Sequence, residues 1–83
     1  TPLQALNLLN SGFMMQQANF LAERLAKEAG QDRKAQVRRA FALAFQREPE
    51  RAELSAALKL IGEQSLPVFC RALLNANEFV YTF

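Results

Sequence analysis

The chain has 83 residues, with ten Lys and Arg against eight Asp and Glu for a net charge of +2, a single cysteine and no histidine. That length suits one domain with a thin core, and so small a net charge gives no electrostatic ground for binding nucleic acid or an anionic membrane. The lone Cys70 excludes an internal disulfide, and without histidine the usual zinc, haem and general-base sites are not expected, so no cofactor is assigned.

Taken in chain order, nearly every segment has helical period. Thr1 is a candidate N-cap with Pro2 at the first helical position, where a missing N–H costs nothing, so "TPLQALNLLN" predicts a first helix over about residues 2–10. Ser11 then caps a second helix over about 13–29, whose Met14, Ala18, Leu21, Ala22, Leu25 and Ala29 share one face and whose stop is Gly30. Asp32 caps a third over about 33–46, with Val37, Ala40, Phe41, Ala44 and Phe45 as its apolar stripe and Arg38 and Arg39 pointing away. Pro49 disfavours helix at Glu48, so the chain turns and restarts near Glu50 for a fourth helix over about 51–63, with Leu54, Ala57, Leu58 and Ile61 inward and Gly62 weakening the last turn. Ser65 and Pro67 open a fifth over about 66–76, apolar round most of its circumference and therefore central, packed by two or more neighbours. The fold class is all-α, a compact bundle of about five helices in a single domain with no sheet, and Phe41, Phe45, Leu58, Phe69 and Leu73 are the expected centre of its core. No apolar run reaches membrane-spanning length, so no membrane insertion is expected.

Three stretches carry a resemblance: "TPLQALNLLN", the Arg-Glu-Pro turn after "AFALAFQ", and "LLNANEFVY", in that order and spacing. Together they resemble the C-terminal planctomycete-specific domain of unknown function that closes large bacterial proteins carrying cytochrome-c-like modules, and the likeness spans essentially the whole chain. It implies an all-helical tail domain of an exported or periplasmic multidomain protein, with no assigned activity. Members of that family read Gly-Arg-Pro-Pro at the turn and Asn-Ser-Asn-Glu-Phe near the end; Gln46, Glu48 and Ala76 depart from the pattern here. A looser similarity to secreted helical modules with an Arg-x-Pro-Asp turn and a Ser-x-Glu-Phe ending suits an interaction role. A first residue of Thr1 rather than Met fits a piece excised from something longer.

The candidate sites each have a plainer reading. Arg33, Lys34, Arg38 and Arg39 could track a phosphate backbone, or form a solvated helix face diluted by Glu28 and Asp32. The acidic residues mostly sit at helix starts and exposed positions rather than as a cleft pair, and Cys70 has no histidine to activate it, so no enzyme is expected. Met15 and Phe20 lie off the main stripe of their helix; they are expected to be covered within the domain, by Leu6 and Leu9 for instance, or else to form a patch on which the rest of a parent protein docks. A carbohydrate site would have Tyr81 alone as its platform. At the end of the chain, Arg47 is expected either to reach Glu78 and the last carbonyls of the fifth helix, with Asn75 or Asn77 supplying the turn and Phe79 and Tyr81 folding inward, or to be solvated along with Glu78. The expected function is a non-catalytic structural or protein-interaction module whose partners are other domains of a parent protein or an unknown protein. The alternative is a small basic helical nucleic-acid binder.

Overall fold

The structure, a computed structural model, describes residues 11–76. The expected first helix and the tail from Asn77 onward lie outside the described residues. Within them the chain is all-helical without a strand, and its four helices correspond to the second to fifth of those expected: α1 (Ser11–Ala29), α2 (Arg33–Phe45), α3 (Arg51–Glu63) and α4 (Leu66–Leu74).

Each boundary has a local cause. Ser11, the first described residue, is already within the α1 helix rather than capping it. The helix stops at Gly30, whose φ of +72° only glycine adopts without strain and whose N–H donates to the Ala26 carbonyl at 3.1 Å. Two residues on, the Asp32 side chain accepts the Lys34 N–H at 3.0 Å and starts α2. At the Pro49 turn the Glu50 N–H donates to the Glu53 carboxylate at 2.7 Å, which ties off one of the free donors of α3. Ser65 accepts the Val68 N–H at 3.3 Å to open α4. That helix ends at Leu74 rather than at 76, because the Asn75 N–H is shared between the carbonyls of Arg71 and Ala72 at 3.1 and 3.2 Å and the last turn tightens.

The end of α2 is less comfortable. Gln46 sits at φ 54° and ψ 38°, the left-handed region, with its N–H donating to the Ala42 carbonyl at 3.1 Å. An L-residue with a Cβ is strained there, whereas glycine is not. Gln46→Gly is therefore expected to raise the unfolding free energy by about 0.5 to 1 kcal/mol, read as a higher midpoint in urea. A lower midpoint would show that the side chain contributes more than its backbone costs.

The most extensive packing joins α1 to α4, and α4 also touches α3 and α2, so it is the central helix. Met14, Ala18, Ala22 and Leu25 form the buried face of α1 at helical spacing and meet Val37, Ala40 and Phe41 of α2 and Phe69, Cys70 and Leu73 of α4 in one apolar cluster. The expected core centre is corrected in part. Phe41, Phe69 and Leu73 are buried, but Phe45 and Leu58 are only half-buried at the margin. The largest fully buried side chains are Leu25, Gln36, Val37 and Cys70, on α1, α2 and α4.

Candidate functional site

Three of the five residues singled out at the C-terminal end, Asn77, Glu78 and Phe79, lie outside the described residues. Asn75 is the exposed C-cap of α4 and satisfies carbonyls of its own helix, as a local turn former would. Arg47 stands just past the end of α2 and has a partner that helical spacing did not reveal. Its two terminal nitrogens donate to the two oxygens of Glu53 at 2.8 and 2.9 Å, a bidentate pair across the Pro49 turn, and one of them also donates to the Glu48 carbonyl at 3.1 Å. The guanidinium lies 5.3 Å from the Phe41 ring centroid and 5.5 Å from that of Phe45, within cation–π range of both. The two rings meet edge to face, with centroids 5.3 Å apart.

Glu53 consequently does two jobs, holding Arg47 and accepting the Glu50 N–H. The Arg47 hydrogen bonds first, and then that N–H, hold its carboxyl down from 4.5 to about 2. A carboxylate whose folded pKa is depressed stabilises the fold fully above its unfolded pKa and loses that contribution as pH falls toward the folded value. The stability gap between the parent chain and Glu53→Gln is therefore expected to shrink as pH falls from about 4.5 to about 2. A gap constant across that window in acid-titrated urea melts would show that the pair adds nothing.

Beside this clamp an open groove of about 290 Å³ runs between α2, α3 and α4. Its walls include Phe41 and Phe45 on one side, Leu60 on another, and the small Ala56, Ala72 and Ala76, whose methyl groups leave the space unfilled. Nothing in a helical stripe announces such a groove; the available signal was alanine where leucine would have closed the seam.

The remaining candidates separate clearly. In the basic cluster, Arg39 donates to Glu28 at 2.7 Å alongside Arg24 at 2.8 Å, and Arg33 donates to Gln36 at 2.9 Å, while Lys34 and Arg38 are exposed. The hydrogen bonds from Arg24 and Arg39 lower the Glu28 pKa. Cys70 is fully buried, and burial pushes its thiol up to about 12, so it stays protonated at neutral pH. Met15 is half-buried, with its sulfur 3.9 Å from an Arg71 nitrogen of α4. Phe20 departs from the expectation of burial, with 56% of its surface open to solvent. It lies two residues from both Ala18 and Ala22, which puts it on the opposite side of α1 from that buried stripe. Among the described residues no group of three or more acidic or cysteine side chains is placed to hold a metal ion, and no helix is long and apolar enough to cross a membrane.

Residues 1–61 match the model of a family described as protein of unknown function (DUF1553). No curated protein and no solved structure matches the chain.

Proposed function

Because the chain belongs to the DUF1553 family, whose description assigns no chemistry, we propose from its own surfaces that it is a non-catalytic structural or protein-interaction module of a larger exported protein. Cytochrome-c-like modules and a planctomycete source are part of this proposal, resting on the motif resemblance alone. The observation that carries the interaction role is Phe20, the large apolar side chain left exposed among the described residues. It sits with Glu23, Arg24 and Lys27 along one face of α1, an apolar centre with a charged border. Interfaces have that anatomy, and the aromatic at the centre carries most of the binding energy.

Two measurements test this. In the isolated chain, Phe20→Ser is expected to change the unfolding free energy by no more than about 0.5 kcal/mol, as for an exposed residue with no folding role. In the full parent protein, a photo-crosslinking amino acid at position 20 is expected to join this domain covalently to another domain or to a second protein. A crosslink confined to residues of the same domain, or a loss of stability well above that figure, would turn Phe20 into a folding residue and remove the basis of the reading.

A further inference from the structure

We propose that Met15 is a site of reversible oxidation by peroxides and that Arg71 holds the oxygen it gains, so that oxidation tightens the seam between α1 and α4. Met15 is half-buried and Arg71 is exposed, on the two helices that share the most extensive packing. An Arg71 terminal nitrogen donates to the Met15 sulfur at 3.9 Å, a contact between residues 56 positions apart. A thioether is a weak acceptor, so this contact contributes little while the sulfur is reduced. Arg71 forms no ion pair with a carboxylate among the described residues, which leaves its guanidinium donors to spare.

The two methionines stand side by side and differ sharply. Met14 is 2% exposed inside the core, whereas Met15 keeps a face to solvent. Hydrogen peroxide that reaches Met15 is attacked by a sulfur lone pair: an S–O bond forms, the O–O bond breaks, and the departing hydroxide takes the proton of the transferred hydroxyl. The products are the sulfoxide and water, with two electrons passed from sulfur to peroxide, and sulfoxide reductases reverse the change. A sulfoxide is polar, and in an apolar setting it disrupts packing. Here it forms beside a guanidinium already in contact with the sulfur, and the flexible methionine side chain turns the new oxygen onto that donor. A weak contact to sulfur is thereby exchanged for a charge-assisted hydrogen bond across the seam. Phe20 takes no part in this, so the inference holds or fails independently of the proposed interaction role.

The test treats the whole chain with dilute hydrogen peroxide and follows intact mass, with fragmentation of the tryptic peptide 1–24, which carries both methionines. The first oxygen is expected at Met15, several-fold faster than at Met14, and the fast phase should vanish in Met15→Leu. In urea, the singly oxidised chain should unfold at a higher midpoint than the reduced chain. In Arg71→Leu, which keeps a good helix former at an exposed position, oxidation should lower the midpoint instead. Met14 oxidised as fast as Met15 overturns the proposal. So does an oxidised midpoint that is unchanged or lower in the parent chain, or a rise that survives Arg71→Leu, which assigns the oxygen to another donor.

Discussion

Phe41→Ala is expected to lower the unfolding free energy by about 3 to 5 kcal/mol, a large part of what a domain of this size possesses. The ring is 5% exposed, lies in the cluster shared by all four helices, and touches both the Phe45 ring and the Arg47 guanidinium. Its removal takes away burial, leaves a cavity bounded by α2 and α4, and strips the clamp of one of its two aromatic faces. Phe45→Ala should cost less, because that ring is half-buried at the margin. Urea denaturation with an unchanged slope measures both. A Phe41→Ala loss below about 1 kcal/mol would mean that the surrounding helices collapse onto the space at little cost.

Gln36→Ala is expected to cost about 2 to 3 kcal/mol, made up of lost hydrogen bonds and the void left behind. The Gln36 side chain is wholly buried, donates to the Gly30 carbonyl at 2.6 Å and accepts from Arg33 at 2.9 Å. It thereby fastens the first turn of α2 to the glycine that ends α1. Gln36→Met keeps the volume and removes only the hydrogen bonds, so its loss should be about 1 kcal/mol. Hydrogen exchange at residues 30–32 should accelerate in both variants. Equal losses in the two would locate the whole effect in the hydrogen bonds, and no loss in either would leave the turn held by Asp32 and Gly30 alone.

The helices were legible because their signals are local. Asp32, Pro49, Ser65 and Gly30 act within a turn of where they stand, and α3 runs over the very residues, 51–63, that the Pro49 break and the inward leucines imply. What was not legible depends on how the helices lean. Phe45 and Leu58 have the right spacing for the interior, yet α4's contact with α1 draws the centre of the core away from them. Gln36 lies outside the apolar stripe of Val37, Ala40, Phe41, Ala44 and Phe45, and its burial follows from the Gly30 carbonyl that faces it. The Arg47–Glu53 pair spans six residues around a turn, a separation with no periodic signature, so neither reading of Arg47, reaching the tail or solvated, includes Glu53. Phe20 is the reverse case: its spacing from Ala18 and Ala22 places it off the buried stripe, and of the two readings, cover within the domain or an exposed patch, the structure shows the exposed one.

The pairing of α1 with α4 also imposes an order on biosynthesis. The first of the described helices has its principal partner in the last of them, and all of α2 and α3 must be made in between. At about 5 to 20 residues per second, the apolar face of α1 waits several seconds at the ribosome before Phe69, Cys70 and Leu73 exist to cover it. During that interval α2 is in place to pack against both α1 and α3. A polypeptide interrupted before Leu66 lacks the α4 part of the cover for Met14, Ala18 and Leu25, and until α4 emerges that face has α2 alone against it among the described helices.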